Sequence, residues 1–91
     1  MSALADHHDQ PAPARLACRF TVLGEADPGL LSRLIEPFAK RGLMPPRLEA
    51  QSDGAVLRVS LAAELEADAA PLLAASLRAI VGVTTVLAEP G

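Results

Sequence analysis

What most constrains this chain is how its hydrophobic period switches along only 91 residues. Leu16–Leu23 alternates, with Leu16, Cys18, Phe20 and Val22 on one side and Ala17, Arg19, Thr21 and Leu23 on the other. A period of two with β-branched and aromatic content predicts a half-buried strand. The period then becomes helical. Asp27-Pro28 is a helix-start signal, an N-cap acceptor followed by a proline pre-set for the first turn. The helix is expected to run to about Arg41, with Leu30, Leu31, Leu34, Ile35 and Phe38 as its apolar stripe. Gly42 suits the cap, and Pro37 should kink the last turns.

A second strand is expected over Leu43–Gln51, with Pro45-Pro46 restricting it to an edge or an irregular entry. Asp53-Gly54 makes a hairpin turn into a third strand over Ala55–Leu61, whose Leu57, Val59 and Leu61 point inward. Ala62–Ala67 reads as a connection, and its Glu64 and Glu66, with Asp68, as a solvated acidic cluster. Asp68 is expected to cap a second helix reaching about Val81, buried through Leu73, Leu77, Ile80 and Val81. Gly82 ends that helix, and a fourth strand follows over Val83–Ala88, stopped by Pro90.

The order strand, helix, strand, strand, helix, strand predicts an α+β fold. It is the ferredoxin-like βαββαβ sandwich, a four-stranded antiparallel sheet with two helices on one face. The outward residues Arg19, Thr21, Arg47, Glu49, Gln51, Arg58 and Ser60 suit a sheet face left in water and argue against its burial face to face on a partner. Residues 1–15 are expected to be a flexible N-terminal tail and 16–88 the domain. His7-His8 in that tail lacks the further ligands a metal site needs.

Composition narrows the function. A net charge of −3 and the absence of Trp and Tyr argue against phosphate contacts and base stacking, so nucleic acid is not an expected partner. One Cys forms neither an internal disulfide nor a thiolate zinc site. No stretch approaches a membrane span and no secretory pattern opens the chain, so a cytoplasmic protein is expected. No nucleophile–base cluster is evident, so no catalytic residue, metal or cofactor is expected.

Three segments carry a family resemblance. The strand "RFTVLGE" (19–25), the turn "DPGLLSRL" (27–34) and the helix end "PFAKRGLMP" (37–45) resemble the ACT domain. The later "LRAIVGVTTV" (77–86) looks like the last helix and strand of acetolactate synthase small subunits, and the chain looks more like their short, single-domain kind. The resemblance implies a non-catalytic regulatory or accessory subunit that binds an amino-acid effector. It implies a homodimer associated with a catalytic subunit in branched-chain amino-acid biosynthesis. The implied site is Glu25, Ala26, Asp27, Gly29, Leu30, Leu31 and Met44. The N–H groups of Gly29, Leu30 and Leu31 at the helix start would receive a ligand carboxylate, and Glu25 or Asp27 its ammonium. Two departures stand out: Ala26 and Met44 occupy positions where valine-responsive members carry Asn. A ligand-free dimerisation or interaction module of the same fold is the competing expectation.

Overall fold

The computed structural model describes residues 15–91; the expected tail, apart from Arg15, and His7-His8 lie outside them. Six elements follow in the expected order: β1 (Arg15–Glu25), α1 (Pro28–Lys40), β2 (Arg47–Asp53), β3 (Val56–Glu66), α2 (Ala69–Arg78) and β4 (Val83–Pro90). The strands form one sheet in the order β2-β3-β1-β4, every neighbouring pair antiparallel. Both helices cover one face. This is the ferredoxin-like sandwich.

Alternation dictates the core. Cys18, Phe20 and Val22 of β1 and Leu57, Val59, Leu61, Ala63 and Leu65 of β3 point to the helices and are buried. Leu30, Leu34 and Phe38 of α1 and Leu73, Ala74 and Leu77 of α2 meet them. Phe20 and Phe38 pack edge to face, ring centroids 5.7 Å apart and planes at 84°. Such a pair adds about 0.5–1.5 kcal/mol beyond its area burial.

Several boundaries differ from expectation, each for a physical reason. β3 does not end at Leu61. Ala62–Glu66 continues it, because Ala63 and Leu65 keep the inward phase and Arg15–Ala17 of β1 supply the pairing partners. Glu64 and Glu66 are therefore outward positions of a strand, not a loop cluster. β2 begins at Arg47, after Pro45-Pro46, since neither proline can donate to a ladder. α2 stops at Arg78, with Ala79 capping it, so Val81 leaves the helix and is 84% exposed rather than buried. Asp68 stands before α2 in helical conformation and makes no side-chain capping bond. On α1, Ile35 is 41% exposed, at the margin of a stripe centred on Leu30, Leu34 and Phe38. The helix continues through Pro37 to Lys40, and Gly42 takes up the positive φ of +70° beyond it.

β2 contributes no buried side chain. Leu48 and Ala50 sit opposite Leu61 and Val59 and so face the helical side, yet Leu48 stays 38% exposed. The helices cover β1, β3 and β4 and leave the β2 edge open. Leu34→Ala is expected to cost about 2–5 kcal/mol of unfolding free energy, whereas Leu48→Ala costs about 1 kcal/mol because more than a third of that residue is already exposed. Urea titration of the two variants measures the contrast.

Candidate functional site

The turn between β1 and α1 is pinned from two sides. The N–H of Glu25 donates to the carbonyl of Gly82 at 2.9 Å, and that of Ala26 to the carbonyl of Ala55 at 2.9 Å. Thr84 Oγ1 donates to the carbonyl of Leu23 at 3.0 Å. The turn is thus held between the α2–β4 connection and the β2–β3 hairpin. Gly24 makes the approach feasible: a Cβ there would lie 2.6 Å from the Gly82 oxygen and 2.8 Å from Leu30 Cδ2. Gly82 itself has φ +99°, a conformation that side chains disfavour.

Asp27 then caps α1, in extended conformation with Pro28 at the first helical position, as expected from sequence. Its Oδ1 accepts from the Gly29 N–H at 3.4 Å, a long bond, and its main-chain oxygen accepts from Leu30 N–H at 2.9 Å. Its Oδ2 accepts from Arg33 Nη2 at 3.0 Å, while Arg33 Nη1 donates to the carbonyl of Val81 at 3.2 Å. Arg33 therefore ties the start of α1 to the end of the α2–β4 connection. Nothing in the sequence marks it, because its contacts lie 6 and 48 positions away and off any helical repeat.

The structure brings Glu25, Ala26, Asp27 and Gly29 together on the surface, with Gly29 half-buried. Leu30 and Leu31 contribute backbone only, since Leu30 is buried in the core and Leu31 packs against it. Met44 is elsewhere. It follows the far end of a helix of 13 residues, about 20 Å from Gly29 at a rise of about 1.5 Å per residue, and is 86% exposed. Within one chain the two cannot line one site.

At the opposite end of the sheet, an apolar cleft of about 510 Å³ lies between α2 and the β1 and β4 strands. Leu16, Leu65, Ala70, Pro71 and Ala74 line it, and Cys18, only 8% exposed, forms part of it. Burial pushes the Cys18 thiol up, and a hydrogen bond from the Glu89 main chain opposes that only in part. Among the described residues, no group of three His, Cys, Asp or Glu side chains could hold a metal ion, and no helix is long and apolar enough to cross a membrane.

The chain matches the ACT-like domain family over residues 11–90, and it belongs to that family. Among curated proteins none matches it in sequence. Solved structures share its fold. The ACT domain of GTP pyrophosphokinase from Chlorobium tepidum superposes with a TM-score of 0.73 at 17% identity, over 84% of this chain and 100% of that one. The ligand-free regulatory subunit of aspartate kinase from Thermus thermophilus gives 0.65 at 17%, over 85% of this chain and 54% of that one. The C-terminal domain of the MgtC protein of Mycobacterium tuberculosis gives 0.69 at 9%, over 89% and 93%.

Two outcomes follow from this geometry. Asp27→Ala removes the cap and the Arg33 partner together, and lowers unfolding free energy by about 1 kcal/mol; Asp27→Asn, which keeps a capping oxygen, recovers most of it in denaturant titrations. A thiol reagent titrates Cys18 slowly in native protein and fast in urea, because a buried, protonated thiol is a poor nucleophile. Since the folded thiol holds its proton to higher pH than the unfolded one, stability also falls as pH rises past the free-thiol range.

Proposed function

We propose that this chain is a non-catalytic regulatory module that binds a free amino acid at the β1–α1 turn and acts on a separate catalytic subunit. The observation that carries the reading is the state of Gly29. Its N–H stands at the positive end of α1, at the tip of a turn pinned from two sides, and is held only by a long 3.4 Å bond to Asp27. A ligand carboxylate can take that N–H, with Glu25 exposed beside it for an ammonium group. Membership of the ACT-like family supports the same reading. The distance between Gly29 and Met44 adds a requirement. If Met44 contributes to the site, it does so from a second copy, so the working form is a dimer with a site shared between chains.

The catalytic subunit we infer is a cytoplasmic acetolactate synthase, on the resemblance of 77–86 to the small subunits of that enzyme. The apolar Met44 and Ala26, in place of amide side chains, favour an aliphatic amino acid held mainly through its backbone groups. The exposed β2 edge favours the alternative, a ligand-free interaction module, because an open strand can serve assembly without any effector.

Calorimetric titration with valine, leucine, isoleucine, threonine and serine separates the two. Binding of at least one, with a rise in melting temperature, is the expected outcome. Absence of heat and of any melting shift across all five would leave the interaction module. Light scattering at micromolar concentration is expected to give a dimer, and a monomer would rule out the shared site.

A further inference from the structure

β4 leaves part of its inward side uncovered. Its register with β1 puts Ala88 opposite Phe20 and Pro90 opposite Cys18, so both belong to the face on which the helices lie. Yet Val86 is the only buried residue of the strand, and Ala88 and Pro90 stay exposed. The cause is on α2. Ala70, Ala74 and Arg78 follow one another at every fourth residue on the side of the helix that borders this gap, and the two alanines are too short to close it. The gap is the apolar cleft of about 510 Å³, within the roughly 300–1,000 Å³ of small-molecule sites.

The cleft has a direction. Ala70 and Arg78 stand about 12 Å apart along the α2 axis, at a rise of about 1.5 Å per residue. Leu16 and Leu65 lie toward the start of α2, Cys18 and Pro90 beside them, and Arg78 stands at the other end. Among the described residues no buried side-chain nitrogen or oxygen lacks a hydrogen-bond partner, so nothing along that length calls for a polar ligand group. Arg78 is the exception to the apolar lining. Its Nη2 donates to the carbonyl of Val86 at 3.1 Å, which steadies the guanidinium at the mouth of the cleft. Among the described residues it enters no ion pair, and its other N–H groups are left for an anion.

We propose that this cleft binds a medium-chain carboxylic acid, its alkyl chain lying along α2 over Leu16, Cys18 and Leu65 and its carboxylate on the Arg78 guanidinium. The chain leaves water against an apolar trough of matching length, and the head meets a planar donor that suits a carboxylate. One guanidinium matches one negative charge, so a doubly charged phosphate head fits less well. Glu66 borders the opposite end and disfavours the reversed orientation. The cleft lies at the other end of the sheet from the β1–α1 turn, so this site does not depend on amino-acid binding there.

The test titrates the full chain with hexanoate, octanoate and decanoate and follows the backbone amides by NMR. Saturable shifts at Leu16, Cys18, Ala74 and Ala88 are expected, with affinity rising about tenfold for each added pair of methylenes. Octan-1-ol, which has the chain without the charge, should bind about tenfold more weakly than octanoate. Arg78→Gln should abolish that difference and leave the alcohol affinity in place. Ala70→Leu, which fills the cleft from a partly exposed position, should weaken acid and alcohol alike by about tenfold. The acid–alcohol comparison needs no variant, and equal affinities overturn the proposal whether or not Ala70→Leu folds. Absence of saturable binding, or shifts confined to the turn around Gly29, overturns it as well. Shifts within residues 1–14 that accompany those in the cleft would assign the cleft to that segment instead.

Discussion

Phe20 on β1 and Phe38 on α1 are the only two phenylalanines in a chain without Tyr or Trp, and they meet edge to face in the core. Every other buried side chain is Leu, Val, Ala or Cys. Aliphatic surfaces slide over one another at little cost, whereas a ring edge against a ring face has a preferred angle. This contact therefore fixes how α1 lies across the central strand. With Phe38 near one end of α1 placed in this way, the other end falls beside Gly24 and Gly82, and the β1–α1 turn has only one place to go. The position of the candidate site is in this sense set by a contact two helical turns and more away from it.

At that turn, the same carboxylate serves structure and occupies the N–H that the proposed ligand would take. Asp27 holds the Gly29 N–H with one oxygen and Arg33 with the other. A carboxylate arriving at Gly29 competes with Asp27 for that N–H, while the loop itself stays fixed by main-chain bonds to Gly82 and Ala55. The cap can loosen without the turn collapsing.

The fold was largely legible because alternation and helical spacing are strong where Leu, Val and Phe carry them. Leu57, Val59 and Leu61 announce β3, and Leu30, Leu34 and Phe38 announce α1. The pattern failed where alanine took the inward positions. Ala63 is a weak signal of either element, so Ala62–Glu66 read as a connection until β1 supplied its pairing partner. Val81 lies outside the helix its spacing suggests, because a helical repeat gives no notice of where the helix stops. Of the site, the Asp27 cap and the Gly29 position were readable from three adjacent residues. The role of Arg33 was not, since it depends on two segments that only the tertiary fold brings within 3.2 Å.

β2 is the one strand with no stake in the core. It is held by a single ladder to β3, its other edge is open, and none of its seven side chains is buried. Its amides can lose protection by peeling from β3 without disturbing the rings or the helices. Hydrogen exchange should therefore run through β2 at a fraction of the global unfolding free energy. The same independence leaves the sequence of Arg47–Asp53 free to drift at small cost to folding, so whatever constrains those residues must come from what they touch outside their own chain.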